Sequence, residues 1–336
     1  MILVTGGTGL TGSHILLNLT LTGSKLRALI REGSSTKWVK RVFQWYRPED
    51  HDELFSRIEW YEGDMTDIYS LRDAMAGVKN VYHCAAVVSY HPADKPLMMK
   101  INVEGTANIV NVALQEGVKK FCHCSSISSL GIAGRGEVVD ESCFWKTSPR
   151  NSNYAISKFN SEREVWRGSE EGLDVVVVNP SIIIGPGDPS RSSGQIFKSL
   201  LGGLRFYSNG ITGYVDVRDV ADIMINLMNS NIKNQRFILN SENISYKELF
   251  NKIAKCYGIK PPKYEAGKFL SAIAWRLERA RSAVTGSKPL ITKETAISAN
   301  KQTFYSNKKI LDVLEHNFTS IDDAVDNACR FLKKVE

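Results

Sequence analysis

A glycine-rich turn near the start of the chain constrains the fold more than any other feature. The apolar run Ile2–Thr5 leads into glycines at positions 6, 7, 9 and 12, and a helical pattern follows. In such a unit Gly6 permits a tight turn, Gly9 lets a pyrophosphate approach the backbone, and Gly12 allows close helix packing. The helix N-terminus adds free N–H groups and a partial positive charge. A flexible surface turn is the alternative, but the strand–loop–helix setting favours a dinucleotide site that also touches Leu10.

The first half of the chain alternates short apolar runs with amphipathic segments. Such alternation predicts a doubly wound α/β fold (a Rossmann fold), in which helices wrap a parallel sheet through right-handed crossovers. The predicted strands are Ile2–Thr5, Lys25–Ile30, Ile58–Glu62, Asn80–Cys84, Lys119–Cys124 and Asp174–Asn179. The predicted helices are Gly12–Leu21, Ser70–Met75, Ile101–Glu116 and Asn153–Glu171. We also expect Asp67 to be an N-cap and Gly77 to end a helix.

The composition of the sequence changes after Pro180. The segment Gly185–Gly194 is rich in glycine, proline and serine, which predicts a loop. We expect this loop to lead into a smaller substrate-binding lobe. The runs Tyr214–Met228 and Arg236–Asn240 look like a return to the sheet, and the remainder is mainly helical. The predicted division is a dinucleotide-binding domain of residues 1–180 with 214–242, and a substrate lobe of residues 181–213 with 243–336.

Charge and hydropathy exclude several classes of protein. The 336 residues carry a formal net charge of +7, but the basic residues are scattered, unlike those of a nucleic-acid binder. No apolar stretch approaches the roughly 20 residues that span a bilayer. The apolar start runs directly into the glycine loop, which leaves no room for a signal peptide. We therefore expect a small-molecule partner, no nucleic acid, no transmembrane segment and, as one option, a homodimer.

The cysteines predict neither disulfides nor a metal. Six are spread along the chain without a C-x-x-C pair, which favours a reducing cytoplasm. Cys122, His123 and Cys124 are adjacent, but alternate side chains of a strand face opposite ways. The three therefore cannot converge on one ion, and no metal is predicted.

The residues after the second and third predicted strands concern the adenosine end of the cofactor. An acid after the second strand favours a free 2′-hydroxyl, whereas a cation favours a 2′-phosphate. Here Arg31 comes first, Glu32 follows and Lys37 lies just beyond. This order favours NADP over NAD, with an inward Glu32 as the alternative. Asp64 is placed to bind the adenine amino group or to act only as a turn residue, and Met65 beside it is a further predicted contact.

A tyrosine and a lysine form the candidate acid–base pair. Tyr154 and Lys158 lie four residues apart on a predicted helix, hence on one face, and Asn-Ser-Asn at 151–153 supplies its caps. A carbonyl that receives hydride needs a proton donor, and tyrosine, with a pKa of about 10, is too weak an acid unaided. A neighbouring ammonium lowers that pKa, which is the role predicted for Lys158. Ser126, at the end of the preceding strand, can hydrogen-bond a substrate oxygen, although a turn serine is the alternative.

Taken together and in this order, these motifs resemble the extended short-chain dehydrogenases/reductases. The matching motifs are the glycine loop, Gly63-Asp64, Ala85-Ala86, Asn102, Ser125-Ser126, Tyr154 with Lys158, and Pro180–Pro186. The resemblance implies that Ser126, Tyr154 and Lys158 form the catalytic group. It also implies that Asn102 lies near the cofactor and that Ala85 and Ala86 contact it. The backbone around Pro180 and Ile182 would hold the carboxamide of the nicotinamide.

Departures from the family's patterns narrow the branch. Dehydratases of this family carry Thr-Asp-Glu where Ser126 is here followed by Ile127 and Ser128. Sugar-nucleotide epimerases show Arg-x-x-Asn-Val-Tyr-Gly-Pro where this chain has Asn179–Pro186, and Arg-Asp-Tyr where it has Thr212–Tyr214. The acids for elimination and the ligands for a sugar diphosphate are therefore missing.

What remains is similar to the dihydroflavonol 4-reductase and 3β-hydroxysteroid dehydrogenase-like branch. That resemblance implies hydride transfer between NADPH and a relatively apolar carbonyl or alcohol, with the substrate left open. Two alternatives stand beside it: a nucleotide-sugar epimerase with bound NAD, and a non-catalytic regulator that senses NADP. The retained Tyr154 and Lys158 argue against the regulator.

A basic amphipathic segment, residues 268–284, lies in the C-terminal lobe. Its apolar residues recur along one helical face: Phe269, Ile273, Leu277, Ala280 and Val284. Packing of this face over the substrate cleft is the favoured interpretation, and a membrane surface is the alternative. Four aromatic residues are candidates for lining an apolar pocket or are simply core: Tyr90, Phe206, Tyr207 and Trp275.

Overall fold

The computed structural model describes residues 1–131, 137–149, 151–285 and 292–335. The strands are β1 (Ile2–Thr5), β2 (Leu26–Ile30), β3 (Ile58–Glu62), β4 (Asn80–His83), β5 (Lys120–Cys124), β6 (Val138–Val139), β7 (Asp174–Pro180), β8 (Ile182–Ile184), β9 (Phe206–Tyr207), β10 (Ile211–Asp216), β11 (Gln235–Leu239), β12 (Glu242–Ser245), β13 (Tyr264–Glu265) and β14 (Phe304–Tyr305). The α-helices are α1 (Leu10–Leu21), α2 (Lys37–Tyr46), α3 (His51–Ser56), α4 (Ile68–Met75), α5 (Lys95–Met98), α6 (Gly105–Gln115), α7 (Asn153–Glu170), α8 (Gly194–Leu201), α9 (Val217–Asn229), α10 (Tyr246–Tyr257), α11 (Lys268–Thr285), α12 (Lys293–Ser298), α13 (Lys308–Leu311) and α14 (Ile321–Val335).

A wholly parallel sheet of seven described strands, ordered β11-β7-β5-β4-β1-β2-β3, forms the centre. Strand β7 shows why the strands lie inside: it carries four successive valines and is buried along its length after Asp174. Continuous apolar runs are typical of parallel strands that are covered on both faces. The strand order reverses between β1 and β4, the point at which ligands bind in such sheets. The predicted doubly wound α/β fold is confirmed.

Helices cover both faces of the sheet with apolar side chains, and one of them, α9, forms from the segment that was predicted to return to the sheet. On one face α1 and α9 pack against the strands through residues such as Leu16 and Met224. On the other face α4, α6 and α7 do so through residues such as Leu71 and Val110. The two layers fix the ends of β1, β4 and β5 next to one another.

The predicted helix boundaries hold at α4 and shift before α6. Asp67 caps α4 by accepting a hydrogen bond from the Tyr69 N–H at 3.0 Å, and Gly77 follows the helix with a φ of +73°. Both predictions are confirmed. The helix predicted over Ile101–Glu116 instead begins with a π-helical turn, Met99–Glu104, and continues as α6.

The segments after Pro180 pair differently from the prediction. The run beginning at Tyr214 does not return to the central sheet, because β10 lies between β8 and β12 in a separate three-stranded sheet. Strand β8 starts two residues after β7 ends and offers β10 a parallel partner outside the central sheet. Only β11 joins the central sheet, as its edge strand beside β7. Helices α8, α10 and α14 cover the small sheet.

Helix α11 corrects the favoured interpretation of the basic segment. Its predicted apolar face does not pack over a cleft: Phe269, Ile273, Leu277 and Ala280 are exposed, and the side chain of Val284 lies outside the described residues. The inward side instead carries Ser271, which is buried and accepts a hydrogen bond from Asn300 at 3.0 Å. The periodicity located the helix correctly but not the face that packs.

Two further observations concern membranes and metals. None of the helices in the described part of the chain is both long and apolar enough to cross a bilayer. Among those same residues, no group of three His, Cys, Asp or Glu side chains could hold a metal ion. Cys122 packs on the α1 side of the sheet, whereas His123 turns toward Ser161 of α7 at 3.4 Å, the alternation expected of a strand.

Candidate active site

The glycine loop is folded tightly against itself and against the end of β4. Gly6 has a φ of +70°, and a Cβ added there would lie 2.6 Å from the amide nitrogen of Ala85. A Cβ on Gly12 would lie 2.2 Å from the carbonyl oxygen of Gly6. Gly9 stands at the N-cap of α1 without a side-chain cap, so the first amides of the helix face outward from the loop. This glycine cradle is therefore folded too tightly for a side chain at Gly6 or Gly12.

Replacing Gly12 by alanine tests this cradle. The added methyl group would push the Gly6 carbonyl away, so we expect the Kd for a nicotinamide dinucleotide to rise by about tenfold or more, roughly 1.4 kcal/mol. Titration calorimetry measures this directly. Gly267→Ala is the matched control, because a Cβ added there meets nothing within 4 Å. Equal dinucleotide affinity in Gly12→Ala and the wild type would contradict the assigned role of the loop.

A cavity of about 120 Å³ lies between the glycine loop and the loop that follows β8. Its lining includes Thr8, Gly9, Leu10, Ala86, Gly185, Gly187, Asp188 and Arg191. Leu10 is so close to the second loop that a Cβ on Gly187 would lie 2.8 Å from its side chain. The structure therefore brings Leu10, Ala85 and Ala86 together beside the glycines, as the sequence predicted.

The candidate acid–base pair lies on the buried face of α7. Ser152 caps this helix by accepting a hydrogen bond from the Ala155 N–H at 3.0 Å. Tyr154 and Lys158 follow one turn apart, with relative exposures of only 9% and 1%. The Ser126 side chain lies near the Tyr154 hydroxyl and acts on its pKa. The structure thus gathers the three residues of the predicted catalytic group.

The electrostatics of the pair differ from the prediction. Burial raises the pKa of Tyr154 well above its usual value, Tyr90 adds to the rise, and Ser126 opposes it. Burial also lowers the pKa of Lys158, whose Nζ donates to the Cys124 carbonyl at 3.0 Å. The net pKa of Tyr154 is therefore raised and not lowered as predicted, because burial outweighs the contributions that oppose it. The tyrosine is protonated at neutral pH, the form that can donate a proton.

Asn102 occupies the π-helical turn and is fully engaged with its neighbours. Its Oδ1 accepts from the Val87 N–H at 2.7 Å, and its Nδ2 donates to the Val87 carbonyl at 2.9 Å and to the Ser157 hydroxyl at 3.0 Å. It therefore ties the loop after β4 to α7. The extra residue of a π-helical turn is common at functional sites.

The residues predicted for the adenosine end lie in different environments. Arg31 and Lys37 are exposed, and neither forms an ion pair with another described residue. Asp64 accepts, through Oδ1, hydrogen bonds from the N–H and the hydroxyl of Thr66 at 2.7 and 2.8 Å, as a turn residue does. Met65 is buried against Gly105 in the core. Arg31 and Lys37 are thus the residues of this group that stay available to a phosphate.

The last two predicted cofactor contacts, Pro180 and Ile182, lie at the carboxyl end of β7. Pro180 ends this strand in the buried interior, and Ile182 opens β8 half-buried. Ser181 between them anchors the turn, since its N–H donates to the Leu239 carbonyl at 2.9 Å. The backbone that was predicted to contact the carboxamide is therefore fixed in place at the carboxyl end of the central sheet.

Two acids near the pair were not singled out from the sequence. Glu162 is buried one turn beyond Lys158 and accepts hydrogen bonds from Ser125 and Ser129, both at 2.7 Å. Glu294 of α12 accepts from the N–H and the Nδ2 of Asn153, the residue before Tyr154, at 3.3 and 3.1 Å. Glu162 could have been predicted from the sequence, because it lies one helical turn after Lys158. Nothing in the local sequence indicates Glu294, which comes from a much later part of the chain.

Of the four aromatic candidates, Tyr90 is the one that packs against Tyr154, with ring centroids 5.8 Å apart. Phe206 and Tyr207 lie on the short ribbon of β9 and β13. Trp275 lies on α11 beneath the guanidinium of Arg276, which is 4.6 Å from its ring centroid. Tyr90 is therefore the aromatic residue that contributes to the site.

Comparison with known proteins places this geometry in a family. The model of the NAD dependent epimerase/dehydratase family matches residues 2–239. A protein of Synechocystis sp. named "Putative dihydroflavonol 4-reductase" is 29% identical over 337 residues, covering 98% of this chain and 94% of that protein. "Sterol demethylase protein B" of Methylococcus capsulatus is 30% identical over 265 residues, covering 78% and 76% of the two chains. The crystal structure of gox2253 has a TM-score of 0.81 at 31% identity, covering 100% of this chain and 98% of that one.

The family model includes the glycine loop, Ser126, Tyr154 and Lys158, and the relatives extend the match into the C-terminal lobe. The chain belongs to the NAD-dependent epimerase/dehydratase family and is an NAD(P)-dependent oxidoreductase of the short-chain dehydrogenase/reductase type.

Proposed function

We propose that the protein reduces a small, relatively apolar carbonyl compound, with NADPH as the preferred cofactor and Tyr154 as the proton donor. One observation carries the proposal: the buried hydroxyl of Tyr154, protonated at neutral pH, lies beside Ser126 beyond the end of β5. This is the edge of the sheet at which ligands bind in doubly wound folds. A proton donor and a second hydrogen-bond donor there suit the oxygen of a carbonyl.

The glycine cradle fits a dinucleotide. Side chains at Gly6 or Gly12 would collide with backbone atoms, so the loop keeps the close approach that a pyrophosphate needs. The amides of the first turn of α1 would hold the phosphates, with Leu10, Ala85 and Ala86 beside them. When bound, the nicotinamide supplies the hydride.

The side chains of α7 and Ser126 supply the rest of the reaction. Reduction adds hydride to the carbonyl carbon and a proton to its oxygen. Tyr154 donates that proton, while the Ser126 hydroxyl donates a hydrogen bond to the same oxygen. The tyrosinate left behind is buried, and Lys158, one turn along the helix, provides the positive charge that offsets it.

Asn102 acts as a positioning residue in this proposal. Because both ends of its amide are bonded to Val87 and Ser157, it fixes the loop after β4 relative to the helix that carries Tyr154. The cofactor and the proton donor would thereby keep a fixed position relative to each other. Backbone groups around Pro180 and Ile182 would hold the carboxamide.

We propose that residues 1–180 with 214–242 bind the dinucleotide and that 181–213 with 243–336 bind the substrate. Tyr90, which packs edge-on against Tyr154, gives the substrate side an aromatic wall. The names of the relatives, a dihydroflavonol reductase and a sterol demethylase protein, support a ring-containing apolar substrate.

A reducing environment such as the cytoplasm is part of the proposal. All six cysteines are free thiols. Cys84 and Cys124 lie at the ends of β4 and β5, and each thiol is the largest cause of the pKa shift of the other. Lys158 donates to the carbonyl of Cys124. Oxidation of these two thiols would disturb the position of the Cys124 carbonyl that accepts the hydrogen bond from Lys158.

Arg31→Ala tests the cofactor preference. Arg31 follows β2 and is exposed, so it is available to pair with a 2′-phosphate. We expect the Kd for NADPH to rise by about tenfold, with the Kd for NADH little changed, as measured by fluorescence titration. Lys25→Ala is the control, since it removes an exposed cation at the opposite end of the same strand. Equal NADPH affinity in Arg31→Ala and the wild type would defeat the assignment.

A carbonyl screen tests the function as a whole. The purified protein is incubated with NADPH and a panel of apolar ketones and aldehydes, and the loss of absorbance of the reduced nicotinamide is followed. Consumption with at least one member is expected. If no carbonyl is reduced and a nucleotide sugar protects the protein from thermal unfolding, the epimerase alternative replaces this proposal.

A further inference from the structure

Helix α11 is oriented with its apolar stripe toward solvent. We call Phe269, Ile273, Leu277 and Ala280 the outward stripe; successive members are three or four residues apart and share one face. Phe269 is 78% and Leu277 66% exposed. The side that packs on the protein carries a different set: Ser271, Trp275, Glu278 and Ser282. An amphipathic helix of a water-soluble core would show the reverse arrangement.

Positive charge borders the outward stripe. The helix contains four cations, Lys268, Arg276, Arg279 and Arg281, all exposed. Its single acid, Glu278, lies toward the protein and pairs with Arg281 at 2.9 Å. Arg276 donates to the Ala272 carbonyl at 2.7 Å, so its aliphatic part follows the helix surface beside the stripe. The exposed face is therefore apolar along its middle and cationic along its edges.

This distribution of charge indicates which kind of partner can cover the exposed face of α11. A second copy of the chain would bring an identical cationic border against this one, because a two-fold interface pairs a surface with itself. Like charges facing each other oppose such a dimer. An anionic lipid surface has the complementary chemistry, with negative headgroups for the cations and an acyl boundary for the aromatic and aliphatic side chains.

We propose that the outward stripe of α11 docks the protein on an anionic lipid surface. Phe269, Ile273 and Leu277 enter the boundary between headgroups and acyl chains, and Arg276 and Arg279 contact the headgroups. The helix lies in the plane of the surface and does not cross it. This proposal is independent of the proposed reaction, because no group of the active site takes part.

The docking face is connected to the active site through contacts between neighbouring helices. Helix α11 packs on α12, and Glu294 of α12 binds Asn153 immediately before Tyr154. The lipid-facing helix and the helix of the acid–base pair are thus linked through one short helix.

Sedimentation with vesicles tests the proposal. The full chain is mixed with vesicles of phosphatidylcholine alone, or with vesicles in which part of that lipid is replaced by phosphatidylglycerol. Binding to the anionic vesicles and weak binding to the neutral ones are expected. Phe269→Ser with Leu277→Ser should abolish binding. Arg276→Gln with Arg279→Gln should weaken it by about fivefold for each cation removed.

Matched variants separate docking from general effects. Leu311→Ser with Val313→Ser replaces two other exposed apolar residues, and Lys255→Gln with Lys260→Gln removes the same amount of charge elsewhere. Both should bind vesicles like the wild type. Equal binding of wild type to neutral and anionic vesicles, or unchanged binding of the α11 variants, would overturn the proposal. So would a lipid-free dimer that Phe269→Ser with Leu277→Ser converts to a monomer.

Discussion

Replacing Tyr154 by phenylalanine should lower the turnover of a carbonyl substrate by about 10² to 10⁴-fold, the usual contribution of a positioned proton donor. The ring remains, so the packing of Tyr154 against Tyr90 is kept. Only the hydroxyl beside Ser126 is removed. The dinucleotide affinity should stay unchanged, because the glycine cradle is untouched. Steady-state kinetics at saturating NADPH and titration calorimetry measure the two quantities.

Tyr90→Phe is the matched control for this prediction. Its ring lies against Tyr154, but its hydroxyl has no assigned part in proton transfer. Turnover in this variant should remain within an order of magnitude of the wild type. If Tyr154→Phe turns over substrate as fast as Tyr90→Phe, then another group supplies the proton and the assignment fails.

The raised pKa of Tyr154 makes this residue a weaker acid than a free tyrosine. Carbonyl reduction uses the protonated tyrosine as an acid, whereas alcohol oxidation needs the tyrosinate as a base. Burial, the largest cause of the shift, favours the neutral form. Reaction in either direction therefore needs a nearby cation that stabilises the tyrosinate, which is the role proposed for Lys158.

Local patterns were sufficient for the frame of the site. The glycine spacing, the run of valines in β7 and the capping residues of α4 and α7 each act within a few residues of one another. Sequence periodicity reports such short-range effects directly. It located the glycine loop, Ser126 and the helix of Tyr154 and Lys158 without tertiary information.

Tertiary contacts decided what the sequence could not. The pKa of Tyr154 depends on burial by distant segments, and Lys158 turns to the carbonyl of Cys124 on another element. Met65 reads as a loop residue after a strand, yet Gly105 of α6 leaves room for it in the core. The apolar stripe of α11 predicts a buried face, but periodicity does not say which environment covers that face.

The inner face of α7 explains how the acid–base pair keeps its place. Besides Tyr154 and Lys158, this face carries Ser157, Ser161 and Glu162, all buried. Ser157 accepts a hydrogen bond from Asn102 at 3.0 Å, and the hydroxyls of Ser161 and Thr106 lie 3.0 Å apart. Directional bonds of this kind fix the rotation and depth of a helix more closely than apolar contacts do. Glu162 is the residue of this face with the most partners.

Glu162→Ala should lower the free energy of unfolding by about 3 to 5 kcal/mol, the usual result of removing one partner of a buried charged pair. Five donors lose a carboxylate acceptor: the hydroxyls of Ser125 and Ser129, the amide of Asn179, the indole of Trp166 and the guanidinium of Arg236. The serines, Asn179 and Arg236 keep uncharged acceptors and lose their bond to the charged group, whereas the indole of Trp166 loses the acceptor it uses here. Urea unfolding followed by circular dichroism measures the change.

Turnover should fall in the same variant for a second reason. Ser125 and Ser129 bracket Ser126, and both bind Glu162 at 2.7 Å, so the carboxylate sets the position of the Ser126 hydroxyl. Glu164→Ala provides the comparison on the same helix. Its carboxylate forms a partly exposed pair with Arg167 at 2.9 Å, which is worth about 1 kcal/mol or less. Loss of stability no greater in Glu162→Ala than in Glu164→Ala would show that the buried carboxylate does not hold the serine loop. With stability lost but kcat per folded molecule unchanged, Glu162 would support the fold without positioning Ser126.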